Sequence, residues 1–300
     1  MIRNIYSVSV VVGSSKCNAK CSFCGGVPHR GDANEEDSET YENEVGLRTA
    51  LRLAKQHGAW AISLTGSGEP TVSPKQVSRV LQIVQEEGPF PMVQLFTNGI
   101  RIGYEPEFVS QLQDWKELGL TTICMSIHDF DSSCVYGVPT PNPKEIVQRV
   151  KEAGLYTRAT LVLHNGHIDT KSKYAKMIEF LSDCGCDMVT SWCVVNTDGS
   201  ACAATPSLLE RIKIAFHLRL KPLVMGQVWG GGIVAYRTEN GRAIPVRHTS
   251  YVTKHSPYRS YVRQLVVFQN GRVSYSWHQD GFDVMGSSGE TRGLCTKKWG

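Results

Sequence analysis

Residues 121–128 read TTICMSIH. In a strand, successive side chains point to opposite faces. Ile123, Met125 and Ile127 then share one face, and Cys124, Ser126 and His128 share the other. YTRATLVLH (156–164) divides the same way, with Ala159, Leu161 and Leu163 against Arg158, Thr160, Val162 and His164. A parallel strand covered by helices on both sides is apolar on both faces. One apolar face and one face carrying Ser, His and Arg is the pattern of a barrel wall, with helices outside and a polar site inside. The reading is therefore α/β, a partial TIM-like barrel.

The same alternation of extended and helical patterns runs outward from these segments. Strand patterns at 5–12, 59–65, 91–97, 121–128, 156–164 and 187–196 are each followed by a helical pattern, at 44–58, 73–88, 105–119, 142–154, 170–185 and 206–220. Ser73 is the candidate N-cap of the second helix, with Pro74 in its first position. Six such units predict parallel strands joined by helical crossovers, a (β/α)6 arrangement. After residue 222 the pattern changes. GQVWGGGIVAY (226–236) is glycine-rich, and RQLVVFQNGRVSYSW (263–277) reads as a hairpin turning at Asn270-Gly271. The expected organisation is a partial barrel over 1–222 and a small β-rich C-terminal extension over 223–300. A six-stranded barrel is open at one side, so the extension, with Trp229, Tyr236, Tyr275 and Trp277, is expected to serve as a substrate cap.

Active sites of such folds sit at the C-terminal ends of the strands. Four stretches fall there: the loop KCNAKCSFC (16–24), TGSGEP (65–70), TNG (97–99) and SIH (126–128). Three of the chain's 10 cysteines, Cys17, Cys21 and Cys24, lie in the first. Cysteine thiolates hold iron–sulfur clusters, usually four to a cluster. Three on one loop suit three irons of a four-iron cluster and leave one coordination place open, as in catalytic zinc sites. The alternative is a Cys3His zinc site with His29 as fourth ligand, in a zinc-stabilised binding protein without redox chemistry.

The spacing C-x3-C-x2-C, with the other three stretches in order on successive strands, resembles the radical S-adenosylmethionine (SAM) superfamily over about residues 5–200. The resemblance implies a 4Fe-4S cluster on Cys17, Cys21 and Cys24 whose open iron is chelated by the amino and carboxylate groups of SAM. One electron then cleaves SAM to methionine and a 5′-deoxyadenosyl radical that modifies a substrate. Gly68 and Glu69, in a GGEP-like motif with Ser67 where glycine is usual, are implied at the SAM amino group. Thr97 and Asn98 match the family's TNG. Ser126 and His128 match its ribose- and methionine-binding position. Phe23 is implied near the adenine and Arg158 on SAM or substrate. The core is similar to the branch holding the molybdopterin-precursor GTP cyclase and peptide-modifying maturases. After Cys202 only Cys295 follows, so the cyclase's C-terminal cysteine set, and its activity, are not expected. The substrate is a nucleotide, a peptide or a small metabolite, and the implied electron donor is a protein such as flavodoxin or ferredoxin.

Composition is that of an ordinary soluble globular protein: 41% hydrophobic residues, 20% charged, and a net charge of +4. No Lys/Arg block announces nucleic acid, and no apolar run approaches the ~18 residues of a membrane span. Clustered rather than paired cysteines point to a reducing cytoplasm. Cys124 is expected low in the barrel. Cys184 and Cys186 are expected to end a helix and start a strand, and Cys134, near the mouth, is a candidate hydrogen-atom donor. His164, Trp192 and Asn196 fall at strand ends, and Trp277, His278 and Asp280 in the extension are further candidates for lining the cavity.

Overall fold

Strand follows helix six times, as the alternation requires. The computed structural model describes residues 4–21, 23–24, 36–194, 201–220, 222–228, 231–249, 261–275, 277 and 283–285. Six strands come first: β1 (Asn4–Val11), β2 (Ala61–Thr65), β3 (Met92–Thr97), β4 (Thr122–Ser126), β5 (Tyr156–Leu163) and β6 (Met188–Cys193). Among and after them run α1 (Glu44–Gln56), α2 (Pro74–Glu86), α3 (Ile100–Tyr104), α4 (Phe108–Glu117), α5 (Ser133–Tyr136), α6 (Pro143–Glu152), α7 (Lys171–Asp183) and α8 (Leu208–Leu220). The short α3 and α5 were not legible as helices; each is a single turn hung on a strand end.

All six strands pair in sequence order and in parallel. The helix-facing side is apolar. Ile62, Leu64, Leu95, Ile123, Met125, Ala159 and Leu161 pack there against Leu47, Leu51, Leu81, Trp115, Val147 and Ile178. Each Leu, Ile, Val or Met among them contributes about 1.5–3 kcal/mol when buried. The opposite face lines the barrel interior in rows set by register. Ser9, Ser63 and Gln94 form one row. Phe96, Cys124 and Arg158 form the next, and Ser126, Thr160, Thr190 and Arg247 the one nearest the mouth.

The chain after residue 222 supplies six more strands: β7 (Pro222–Val228), β8 (Gly231–Arg237), β9 (Ala243–Thr249), β10 (Tyr261–Val267), β11 (Val273–Ser274) and β12 (Asp283–Met285). They join the same sheet, at both ends. Its order is β12-β11-β10-β1-β2-β3-β4-β5-β6-β9-β8-β7. β10 runs parallel to β1 and β9 parallel to β6, so eight contiguous parallel strands form the wall, flanked by antiparallel pairs. The sheet is not closed. The expected hairpin joins β10 to β11, with Gly271 at φ 84° in its turn. Trp229, His29, Asn196, His278, Asp280 and Cys295 lie outside the described residues.

The expected start of α2 is observed, with one local difference. Ser73 is the N-cap of α2 and Pro74 its first residue, but the Ser73 side chain makes no cap hydrogen bond. Its hydroxyl oxygen instead accepts the Ser14 N–H at 2.9 Å. The cysteine loop competes for that oxygen and wins.

Removing residues 223–300 would strip partners from β1, eight residues long, and β6, six residues long, leaving two unpaired parallel edges of the kind that aggregate. A 1–222 fragment is therefore expected to lose solubility or its cooperative thermal transition. A monomeric fragment melting at the full chain's midpoint, by size-exclusion chromatography and circular dichroism, would contradict this.

Candidate active site

The loop after β1 is fixed by its neighbours from several sides. Gly13 turns the chain at φ 80° and donates its N–H to Gln76 Oε1 at 2.5 Å. Gln269, in the β10–β11 turn, donates Nε2 to the Gly13 carbonyl at 2.5 Å and to Gln76 Oε1 at 2.6 Å. Beyond Gly13, the Lys16 carbonyl accepts the Glu69 N–H at 2.9 Å, and the Lys20 N–H reaches the Tyr136 carbonyl at 2.7 Å. Asn98 Nδ2 donates to Asn18 Oδ1 at 2.7 Å, between Cys17 and Cys21. At Gly68 a Cβ would lie 2.0 Å from the Lys16 carbonyl oxygen and 2.7 Å from that of Ser14. The glycine is thus required by the cysteine loop's own backbone.

Cys17, Cys21 and Cys24 are half-buried and in no disulfide. Burial, and then the neighbouring Cys24 and Cys17, push the Cys21 thiol up to about 12. A thiol held up by burial and by two neighbouring thiols is disfavoured as a free thiolate. Metal ions stabilise such a set, since cationic iron favours the deprotonated form. The donor set fits a cluster with three protein ligands.

Glu69 is buried, and both its oxygens are engaged. Oε1 accepts from the Thr71 N–H at 3.0 Å, the Thr71 hydroxyl at 2.7 Å and the Thr97 hydroxyl at 2.5 Å. Oε2 accepts the Asn98 N–H at 2.8 Å. Burial raises the Glu69 carboxyl, while these donors pull it back. The Thr97 oxygen also accepts the Gly99 N–H at 3.0 Å. Gly68, Glu69, Thr97 and Asn98 are therefore brought together around the cysteine loop, with most of their polar groups bonded to one another.

On β4 and just beyond it, Ser126 and His128 follow Cys124 on the interior face. His128 is buried; its Nδ1 accepts the Val162 N–H at 3.2 Å, bridging to β5. Burial, assisted by His164 and His167, lowers its pKa to about 3, so the ring is neutral. Phe23 lies against His128 (centroids 5.3 Å) and His164 (5.1 Å). Arg158 sits one register row deeper than Ser126, beside Cys124, with its guanidinium 5.2 Å over the Phe96 ring. Cys124 is buried, as its inward alternation predicts. Cys184 caps the end of α7 and Cys186 leads into β6.

Some positions had no motif to announce them. Tyr136 on α5 donates its hydroxyl to the Ser126 carbonyl. Its ring packs with Ala19, Ile100, Cys17 and Cys21 and against His128 at 5.5 Å. Gln76 and Gln269 meet only in three dimensions. Thr190 was the one accessible to pattern: it alternates with Trp192 on β6.

Residues 11–188, more than half of the chain, match the sequence profile of the radical SAM superfamily, and the chain belongs to that superfamily. It is an enzyme of a family that works with a 4Fe-4S cluster and SAM. GTP 3′,8-cyclase of Haemophilus influenzae strain PittEE is 27% identical over 136 residues, 45% of this chain and 37% of the cyclase. The corresponding cyclase of Pasteurella multocida strain Pm70 is 26% identical over 133 residues, 44% of this chain and 36% of the relative. The chain thus matches less than two fifths of these relatives' length. Among solved structures, Streptococcus suis SuiB bound to its precursor peptide SuiA superposes with a TM-score of 0.63 at 15% identity, covering 94% of this chain and 63% of that one. The enzyme anSMEcpe with bound AdoMet superposes with a TM-score of 0.59 at 12% identity, covering 96% and 79%. These structures share the fold of a partial barrel with an open sheet.

Gly68→Ala is expected to displace the loop at Lys16, to destabilise the protein by about 1–3 kcal/mol and to lower iron and sulfide content after anaerobic reconstitution; parental iron content would show that the loop accommodates the methyl. For His128 the direction of the shift fixes the pH effect. A histidine whose folded pKa lies below its unfolded value of about 6.5 keeps its contribution above that pH and loses it as pH falls. The thermal midpoint is expected to drop between about pH 7 and about pH 5, less steeply in His128→Asn, which keeps an acceptor but does not titrate. Equal slopes by scanning calorimetry would contradict the assignment.

Proposed function

We propose that the enzyme directs its radical at a small anion-bearing substrate, a nucleotide before a peptide, held inside the barrel. The observation that carries this is a group of buried polar atoms on the interior wall without hydrogen-bond partners among the described residues: Arg158 Nε, Thr160 Oγ1 and Thr190 Oγ1. Thr160 and Thr190 are register partners on β5 and β6, and Thr190 is paired in turn with Arg247. A buried polar atom left unpaired costs about 1–3 kcal/mol. Two hydroxyls and a guanidinium nitrogen on one wall are together suited to phosphate or carboxylate oxygens. Cys17, Cys21 and Cys24 would hold the cluster, which with SAM bound would supply the one-electron reductive cleavage of SAM.

The residues of this chain then have separate tasks in the proposal. Gly68, Glu69, Thr97 and Asn98 shape the rim where SAM's amino acid end lies, by main-chain groups rather than by the Glu69 carboxylate, which is already bonded. Ser126 and His128 meet its ribose, and Phe23 its adenine. Arg158, deeper in the barrel, meets the substrate. The extension over 223–300 acts as a side wall: Val266, Phe268 and Trp277 form an apolar cluster with Val11 on the interior side of β1. The electron comes from a small reductant protein such as flavodoxin or ferredoxin, in the cytoplasm. The zinc-stabilised Cys3His alternative is disfavoured by membership of the superfamily.

The test is anaerobic reconstitution followed by assay of 5′-deoxyadenosine and methionine release with dithionite, across nucleotides, other small anions, their neutral analogues and peptides. Stimulation by anionic members only is expected. Thr160→Val with Thr190→Val should raise the substrate's KM by about tenfold, equivalent to about 1.4 kcal/mol, while SAM cleavage without substrate is unchanged. Equal stimulation by a neutral nucleoside would refute the substrate class. A colourless protein carrying zinc and cleaving no SAM would refute the chemistry.

A further inference from the structure

Asp129, Cys134 and His167 come from three segments at the barrel mouth. Asp129 directly follows His128, Cys134 lies in α5, and His167 lies in the turn after β5. Their ligand atoms all fall within 4.8 Å of one another. Asp129 Oδ2 is 2.9 Å from His167 Nδ1, and Cys134 Sγ is 3.8 Å from the same nitrogen. In a nucleophile–base–orienter relay, the nucleophile and the carboxylate occupy opposite nitrogens of the imidazole. Here both converge on one nitrogen. A thiol and a carboxylate meeting a single ring nitrogen are placed as ligands around a shared centre. Tetrahedral zinc with a sulfur at about 2.3 Å and nitrogen or oxygen at about 2.0–2.2 Å sets its ligand atoms roughly 3.3–3.6 Å apart. The two observed separations bracket that range.

The three side chains are also held from behind. Asp129 Oδ1 accepts the Phe130 N–H at 2.8 Å, leaving Oδ2 to face the others. The Ser132 hydroxyl oxygen accepts the Asp129 N–H at 3.3 Å and the His128 N–H at 3.2 Å, fixing the turn that leads to Cys134. The His167 carbonyl accepts from Lys173 Nζ at 2.8 Å and from the Asp169 N–H at 3.0 Å, and its N–H donates to the His164 carbonyl at 3.0 Å. Gly166, at φ 89°, makes the turn that presents it. Outer contacts of this kind orient metal ligands. Cys134 is exposed and the other two half-buried, so an ion has access from solvent.

From this arrangement we infer a second metal site, a three-ligand zinc centre on Asp129 Oδ2, Cys134 Sγ and His167 Nδ1. Thiolate and imidazole select zinc over magnesium or calcium. Binding displaces the thiol proton, and the ion takes the place now occupied by the Asp129–His167 hydrogen bond. Three protein ligands leave one position open to water or to a donor atom of a ligand at the mouth. Its ligands are distinct from the three cluster cysteines.

The test uses the full-length reconstituted protein exposed to micromolar zinc, with metal content, a competing zinc-binding dye and zinc-edge X-ray absorption as readouts. About one zinc per chain is expected, with one sulfur near 2.3 Å and lighter atoms near 2.0–2.2 Å. Cys134→Ser and His167→Ala should each weaken zinc binding at least about tenfold, without loss of cluster iron. The Cys17→Ala/Cys21→Ala/Cys24→Ala variant should keep its zinc. Absence of zinc from the parent protein would overturn the assignment. So would three sulfurs around the zinc, or zinc that survives Cys134→Ser and disappears with the cluster cysteines. Cys134 is exposed, so its serine variant retains the fold, and the zinc-edge spectrum of the parent protein distinguishes one sulfur from three without any variant.

Discussion

The site depends first on one buried carboxylate. Glu69 leaves β2 and is met by donors from its own turn and from the end of β3. A buried carboxylate without such partners would cost several kcal/mol. With them, it ties two strand ends to a fixed separation. Its own N–H goes to Lys16, so the same residue sets the height of the cysteine loop over those strands. Gly68, immediately before it, makes the approach possible because nothing larger fits under the Lys16 carbonyl. The order of dependence runs from Glu69 to the loop backbone and from the backbone to the three thiols.

A second constraint is the division of the sheet into an apolar and a polar face. The helix side is packed with aliphatic residues and supplies the stability. The interior side carries Ser, Thr, Gln, Arg and Cys in register rows, and Arg158 Nε, Thr160 Oγ1 and Thr190 Oγ1 have no hydrogen-bond partner among the described residues. Such a face is tolerable only where something polar enters it, water or a ligand. Stability and recognition thus come from the two sides of the same strands, and neither can be changed at one position without affecting its neighbours in the row.

Much of this was written locally in the chain and therefore legible. Alternation in TTICMSIH and YTRATLVLH gave the inward residues because a strand's period is two whatever surrounds it. The cysteine loop and the strand-end motifs were recognisable because their spacing is itself the chemistry. What was not legible depends on contacts between distant segments. Nothing in RQLVVFQNG says that its strand runs parallel to β1, or that Gln269 reaches the loop ahead of the cysteines. The extension reads as an appendage because its strands have no crossover helices, yet two of them continue the wall. Ser73 is the N-cap that local rule predicts, but its hydroxyl serves Ser14. Tyr136, on one turn of helix, has no periodicity to betray it. The Asp129–Cys134–His167 group spans two loops and a helix turn, and only Cys134 drew notice in the sequence.

The Gln269–Gly13 bond joins residues 256 positions apart. During synthesis at about 5–20 residues per second, the segment that anchors the start of the cysteine loop emerges roughly 13–50 seconds after the loop itself. Throughout that interval β1 lacks its β10 partner, and Gly13 lacks the Gln269 amide that ties it to Gln76. The start of the cysteine loop is thus made long before its last partner. Exposed, unligated cysteines are the ones open to oxidation or to the wrong metal. A chain stalled before residue 261 would therefore carry the three cysteines without the β10 pairing and the Gln269 bond that steady the start of their loop.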